Sequence, residues 1–217
     1  PYSALVTPQY QVIIDYLKGV SGQPDPNIAG MGLTSFANSL KIENCITRPG
    51  VIASLTDPEY GEISKPYTTH SIPGTIPAAY YDIGARGLSY SDSDYWNDGD
   101  GGYNDGWVFR NDGVDVEGSD DDPNIPYTVG WTEAGEWLGY TIEDVSPGTY
   151  EVSFSISAPD AGGIFFAQLS GQNLGVIDVP ATGGWYNWED LPAQTITVSE
   201  GEKFLKIQIV QAGFNIQ

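Results

Sequence analysis

The sequence predicts an all-β protein: a β-sandwich preceded by a short N-terminal helix and an extended segment. Three observations carry this. Turn-forming and aromatic residues are abundant, with 27 Gly, 14 Tyr and 6 Trp among 217 residues. From residue 70 onward, short apolar segments are separated by turn pairs such as Asp112-Gly113, Pro147-Gly148, Gly162-Gly163, Gly183-Gly184 and Glu200-Gly201. Regular spacing of this kind is the pattern of a sandwich. Within the segments, Tyr150, Val152, Phe154 and Ile156 alternate with Glu151, Ser153 and Ser155, the period of a half-buried strand.

At the N-terminus, Thr7 followed by Pro8 is a helix start, with Thr as N-cap and Pro at the first helical position. Val12, Ile13, Tyr16, Leu17 and Val20 then share one helical face, and Gly19 can close the helix. A helix of about three turns is too short to be stable alone, so this stripe is expected to dock on protein. Residues 22–70 are interrupted by Pro24, Pro26, Pro49, Pro58 and Pro66 and read as an extended linker or docking segment, with 39–42 and 51–55 as short edge strands. The expected organisation is a helical segment at 1–21, the extended segment at 22–70 and a sandwich at 71–217.

Strands are expected at 74–81, 87–90, 107–109, 114–117, 127–130, 135–142, 148–157, 164–169, 172–179, 194–198 and 203–212. Residues 129–142 contain two tryptophans with different surroundings. Trp137 opens an alternating run in which Leu138, Tyr140 and Ile142 fall on one side. Trp131 precedes the strand, between Gly130 and the polar turn Thr132-Glu133-Ala134-Gly135. Such a ring either packs under its own loop or stands at a sheet end, where binding residues collect. Trp185 follows Gly183-Gly184 at the tip of another loop.

Composition excludes several classes of function. Hydrophobic residues make up 40% of the chain, enough for a core and against global disorder. The formal net charge is −21, with only 8 Lys and Arg, so nucleic acid and anionic membrane surfaces are poor partners. No stretch of 18 or more apolar residues reads as a membrane span. Cys45 is the single cysteine, which leaves no internal disulfide. The chain begins at Pro1 and reads as a processed chain or an excised fragment.

Residues 92–122 are dense in acid, from Asp92 and Asp94 through Asp112, Asp115 and Glu117 to Asp122. Both a structural Ca²⁺ on loop oxygens and a solvated acidic loop accommodate this density; the ligands themselves are not legible. The only histidine, His70, stands in a Thr-Thr-His-Ser-Ile-Pro stretch, which argues against a nucleophilic triad or a histidine metal centre. No two carboxylates are singled out as a glycosidase pair.

Taken together, several motifs resemble the family 6 carbohydrate-binding modules, from about residue 72 to 217. They include Gly87-Leu-Ser-Tyr-Ser-Asp92, Arg110-Asn-Asp-Gly-Val-Asp-Val-Glu117, Val129-Gly-Trp-Thr-Glu-Ala-Gly-Glu-Trp-Leu138, Pro147-Gly-Thr-Tyr150, Val179-Pro-Ala-Thr-Gly-Gly-Trp185 and Gly213-Phe-Asn-Ile216. The resemblance implies a jelly-roll sandwich without catalysis, carried by secreted polysaccharide-degrading enzymes and clasping a sugar between two rings. It places Trp131 and Trp185 as the clasp, Asn215 as a hydrogen-bonding partner of the sugar, Tyr90 and Asp92 in the polar wall, and Trp137 in the core. The family often begins with Ile-Glu-Ala-Glu, whose acids help to hold a structural Ca²⁺; here the same place reads Ile76-Pro-Ala-Ala79.

The expected function is therefore extracellular, non-catalytic binding of a polysaccharide or oligosaccharide, with a neighbouring catalytic domain or a self-assembly partner beside it. The alternative is a structural subunit of an extracellular assembly that uses the same sandwich as scaffold. The glycan itself (xylan, cellulose, β-1,3-glucan or an agar-type chain) is not legible.

Overall fold

The structure, a computed structural model, describes residues 6–41, 43, 49–93, 109–110, 112–122, 124–191 and 194–217. It divides into two compact units, Pro1–Thr47 and Arg48–Gln217. The division falls inside the segment expected to be a linker.

The first unit is a pair of helices, α1 (Pro8–Leu17) and α2 (Pro26–Ser39). The start of α1 is as the sequence predicts: Thr7 Oγ1 accepts from the Tyr10 amide at 3.2 Å, with Pro8 next. The same device starts α2, where Asp25 accepts from the amides of Asn27 and Ile28 at 2.9 and 3.2 Å and Pro26 follows. Extended chain is thus corrected to helix here. The expectation was misled by Gly30, Gly32, Thr34 and Ser35, all weak helix formers; contact between the helices overrides that weakness. Gly32 abuts the backbone of Gln9 and Tyr10, and the rings of Tyr10 and Phe36 stack at 4.4 Å. The predicted apolar stripe of α1 is not buried in this contact, since Tyr16, Leu17 and Val20 remain exposed.

The second unit opens with α3 (Pro49–Thr56), where an edge strand was expected. Its Ser54 and Thr56 hydroxyls bond back to the carbonyls of Val51 and Ile52. Fourteen strands follow among the described residues: β1 (Ser71–Ile72), β2 (Tyr90–Ser91), β3 (Val116–Asp122), β4 (Ile125–Val129), β5 (Trp137–Ile142), β6 (Asp144–Val145), β7 (Gly148–Val152), β8 (Ser155–Ala158), β9 (Gly163–Leu169), β10 (Gln172–Val179), β11 (Gly184–Asp190), β12 (Gln194–Val198), β13 (Lys203–Gln211) and β14 (Asn215–Ile216).

One five-stranded sheet has the order β10-β9-β13-β5-β2, and another has β11-β8-β14-β4-β3. Two pairs, β12-β7 and β1-β6, accompany them. The sandwich interior is filled from both sheets. Phe165 of β9 meets Phe154 and Phe214 with ring centroids 5.0 and 5.5 Å away, and Leu138, Tyr140, Ile142, Ile156, Ile207 and Ile216 are buried with them. A space of about 480 Å³ between the layers is lined by residues such as Ile72, Ile142, Leu174 and Ile207. Polar residues such as Ser71, Glu151, Ser153 and Asp190 line it as well.

The single strand expected at 148–157 is two strands on different partners: β7 pairs with β12, and β8 joins β11 and β14. The strand expected at 74–81 is instead irregular chain with a 3-10 turn at Ala78–Tyr80, whose two alanines are buried. Residues 107 and 108 of another expected strand lie outside the described residues.

Candidate functional site

Sheet order assembles the site. Reading across β11-β8-β14-β4-β3, one end of the sheet presents Trp185, Ser157, Asn215, the Gly130–Trp131 corner that follows β4, and Glu117. Residues far apart in sequence thus come from neighbouring strands.

Trp185 is held by its backbone. Gly184 pairs with Ala158, but the next register partner is Glu189 opposite Ile156, so residues 185–188 stand out from the edge strand as a bulge. The Trp185 carbonyl, at the start of that bulge, accepts from Ser157 Oγ at 2.5 Å and Asn215 Nδ2 at 3.0 Å. Thr182 and Gly183 donate their amides to the Ala158 carbonyl at 2.8 and 3.1 Å. The ring itself is 46% exposed.

Trp131 is held differently. Its φ is +44°, the left-handed region that costs a non-glycine residue about 1–2 kcal/mol. The corner is fixed on both sides. Gly130 donates its amide to the Asp115 carbonyl at 3.0 Å, and buried Thr132 donates its hydroxyl to the Phe214 carbonyl at 3.2 Å. A Cβ at position 130 would meet Asn215 Oδ1 at 2.8 Å, so any larger residue there would displace that carboxamide. Beyond the corner, Glu136 accepts from the amides of Glu133 and Ser93 at 2.7 and 2.9 Å. The Trp131 ring is 41% exposed. Strain of this kind, held in place by its surroundings, concentrates at binding sites.

The other predicted site residues are placed less openly. Asn215 is only 3% exposed; it lies behind the tryptophans with its carboxamide on the Trp185 carbonyl. Tyr90 is not part of a polar wall. Its ring packs in the core against Tyr81 at 5.5 Å, and its hydroxyl donates to the Asp112 carbonyl at 2.7 Å. Asp92 is also buried. For Tyr90 the reason is strand pairing: Tyr90 and Ser91 pair with Leu138 and Trp137, which carries the ring inward.

Two site residues were not nominated from the sequence. Tyr186, in the bulge beside Trp185, is 52% exposed, and its hydroxyl donates to Glu117 Oε2 at 2.9 Å. This bond ties the two outermost strands of the sheet, β11 and β3, across Asn215 on the middle strand. Glu117 ends one of the motifs quoted above, and Tyr186 adjoins a nominated tryptophan. Both were within reach, but neither shows in the sequence that the two meet.

A separate polar cluster lies inside the unit. Buried Arg110 donates through Nε to Asp112 at 2.8 Å, through Nη2 to the Asp82 carbonyl at 2.9 Å, and through Nη1 to the Tyr81 carbonyl, with its guanidinium 3.6 Å from the Tyr81 ring centroid. The Tyr81 hydroxyl donates to Asp112 at 2.5 Å. Burial pushes that phenol well above its ordinary range; Arg110 opposes the shift and Asp112 adds to it, so it remains a donor. The buried Asp82 carboxylate accepts from the Thr141 amide, the Thr141 hydroxyl and Ser64 at 2.8, 2.6 and 2.8 Å. His70 is also buried, with Nε2 3.0 Å from the Tyr80 carbonyl.

This arrangement bears on the expected Ca²⁺. At 76–79, where the resemblance would put acidic ligands, Ala78 and Ala79 are buried methyls in the core and do not fit a metal ion. The Asp112 carboxylate is already engaged by Arg110 and Tyr81. Asp94, Asp98, Asp100 and Asp105 lie outside the described residues. Among the described residues, no group of three or more His, Cys, Asp or Glu side chains is placed to hold a metal ion.

One sheet end thus presents two partly exposed tryptophans beside the polar groups of Ser157, Asn215 and Glu117. Residues 110–217 match the model of a family described as carbohydrate binding module (family 35). The alpha subunit of clotting factor G from Tachypleus tridentatus is 34% identical over 85 residues, 38% of this chain and 12% of that protein. The chain thus spans only a small part of that curated relative's length. Among solved structures, the C-terminal family 6 module of LamC, a marine laminarinase from Zobellia galactanivorans, is 32% identical, with 48% of this chain and 83% of that one covered and a TM-score of 0.42. A module of Cellvibrio mixtus lichenase 5A, in complex with cellotriose, is 28% identical, with 48% and 82% covered and a TM-score of 0.42. The matched residues are a carbohydrate-binding module, a non-catalytic domain. It is of the family 6 type that its motifs resemble, although the matching model is described as family 35.

Proposed function

We propose that Trp131 and Trp185 form the clasp of this module and stack on the faces of a polysaccharide or oligosaccharide. The observation that carries this reading is convergence. Two tryptophans, 41% and 46% exposed, are delivered to one sheet end on rigid backbone, with Ser157 and Asn215 on the strands between them and Glu117 on the strand beyond Trp131. Sugar CH faces stack on aromatic rings, and sugar hydroxyls need hydrogen bonds; the site offers both. Asn215 acts as a positioning residue that pins the Trp185 carbonyl. Tyr90 and Asp92 support the fold beside the site.

The test is titration calorimetry with the glycan selected on an array. Trp185→Ala is expected to weaken binding by about 2 kcal/mol or more, roughly thirtyfold in Kd, as for a hot-spot anchor. Its melting temperature is expected to stay near the parent's, because an exposed ring contributes little to the core. Parent-like affinity in this variant would move the clasp elsewhere.

The wider setting is part of the same proposal. The module acts outside the cell as an accessory to a polysaccharide-degrading catalytic domain. Exposed Leu17, Val20, Met31 and Leu33 on the helical unit support a protein neighbour, either that domain or a copy in an assembly. A structural Ca²⁺ on loop oxygens within 92–122 is supported by acid density alone. It is checked by a rise in melting temperature with millimolar Ca²⁺ that EDTA reverses.

A further inference from the structure

The two corners that carry Trp131 and Trp185 are joined through the sheet. Asn215 lies on the middle strand, with β8 on one side and β4 on the other. Its carboxamide works in both directions. Nδ2 donates to the Trp185 carbonyl at 3.0 Å. Oδ1 lies where a Cβ on Gly130 would come within 2.8 Å of it, and Gly130 is the residue before Trp131. The carboxamide therefore fills the space between the two corners.

Ser157 stands beside it. Ser157 and Asn215 are register partners on β8 and β14, and both are buried. The Ser157 hydroxyl donates to the same Trp185 carbonyl at 2.5 Å. A carbonyl oxygen has two lone pairs, so two donors occupy it and fix the Trp185 peptide from two directions. Pinning matters here because the pairing of β11 with β8 stops at Gly184 and resumes at Glu189. The approach to the bulge is held as well, since Thr182 Oγ1 accepts from the Ala158 amide at 2.9 Å.

On the other side, the Gly130 backbone is outside the left-handed region, so what glycine provides there is space. The Gly130 amide is tied to the Asp115 carbonyl at 3.0 Å. A methyl group added at this position meets a held backbone, and the Asn215 carboxamide is the part that gives way.

We propose that Ser157 and Gly130 are positioning residues of the clasp. Ser157 pins the Trp185 corner, and Gly130 leaves the space in which Asn215 braces that corner against the Trp131 corner. This rests on the reading of Trp131 and Trp185 as the clasp. A frame fixed before binding avoids the entropy of ordering loops on the ligand. Loosening it therefore raises Kd without removing a ligand contact.

The first arm of the experiment needs no ligand. Indole N–H resonances of the isotope-labelled free chain are assigned with Trp131→Phe and Trp185→Phe. In Ser157→Ala the Trp185 indole is expected to shift and to relax as a more mobile group, while the Trp131 indole keeps its parent signal. In Gly130→Ala both are expected to change. The second arm is calorimetry with the strongest glycan from an array, on variants checked by thermal melt. Ser157→Ala and Gly130→Ala are each expected to bind severalfold more weakly. Gly130→Ala should cost much less in an Asn215→Ala background, where the space it takes is already empty, so the two changes are non-additive. If Gly130→Ala fails to fold, the Ser157→Ala and Asn215→Ala pair replaces it: each removes one donor from a shared carbonyl, and the double variant should lose more than the sum. Additive losses in the cycle used overturn the brace. A parent-like Trp185 indole or parent-like affinity in Ser157→Ala overturns the pin and leaves the clasp standing. Parent-like affinity in Trp185→Phe and Trp185→Ala removes the clasp reading, and the role of the pin in binding falls with it.

Discussion

The sandwich unit contains two clusters of aromatic and polar side chains, around Arg110 and around Trp131 and Trp185. They share ingredients and differ in what completes them. In the Arg110 cluster every contact is internal: a guanidinium on Asp112, two backbone carbonyls and the Tyr81 face, with Asp82 receiving three donors close by. At the proposed clasp, the backbone is secured internally while the two tryptophans are partly exposed. A buried network fixes one structure and leaves nothing for a ligand. An exposed pair on a fixed frame is pre-organised for one. Satisfaction of the polar and aromatic groups, more than their identity, separates the structural cluster from the proposed clasp.

The sharpest way to break this comparison is Arg110→Met. Removing the cation leaves Asp112 and the carbonyls of Tyr81 and Asp82 buried without their donor, a loss expected to cost about 3–5 kcal/mol. Urea denaturation measures it. Glycan affinity, corrected for the folded fraction, is expected to stay at the parent value. A loss of affinity in the folded fraction would mean that the two clusters are coupled rather than separate.

Legibility in the sequence follows the same division. The sandwich was legible because strands such as β7 and β12 alternate apolar and polar residues. The partial exposure of the two tryptophans was one of two readings open to bulky rings beside glycines in polar loops, and their pairing as a clasp is what the resemblance implies. What lay hidden depended on contacts between distant residues. Nothing local in Tyr90-Ser-Asp92 shows that pairing with β5 turns it inward. The Tyr186–Glu117 bond joins residues 69 positions apart. Helices α2 and α3 were missed for the opposite reason, because glycine, serine and valine there read locally against helix. The Asp25-Pro26 start of α2 was nevertheless available, and it repeats the Thr7-Pro8 signal that located α1.

Within the clasp, strain gives a smaller and more pointed test. Trp131→Ala and Trp131→Gly both remove the ring, and both are expected to lose glycan binding. They differ in backbone, since alanine retains the cost of a positive φ and glycine does not. The Gly variant is therefore expected to be more stable than the Ala variant by about 0.4–1 kcal/mol or more, with part of the relief offset by the entropy of unfolded glycine. Paired thermal melts read the difference. Equal melts would show that the corner relaxes when the ring is removed, so that the ring and not the loop imposes φ = +44°.

Trp137 tests how far the comparison extends. By resemblance this residue belongs in the core, where truncation to alanine costs about 3–5 kcal/mol. The structure places it elsewhere. Trp137 begins β5 with its side chain half-buried, while Leu138, Tyr140 and Ile142 take the interior. It stands in register with Ser91 on one side and Gln208 on the other, and Lys206 Nζ sits 4.2 Å from its ring centroid. A partly exposed cation–π contact contributes about 0.5–1 kcal/mol, and the ring forfeits only part of its burial on truncation. Trp137→Ala is therefore expected to cost about 1–2 kcal/mol in urea, with Lys206→Ala accounting for a share of it and a double-mutant cycle giving the coupling. A loss of 3 kcal/mol or more would return Trp137 to the core and give it a structural role like that of Arg110. A loss near 1 kcal/mol would leave it as a ring on the outer face of the sheet, held by a lysine instead of by packing.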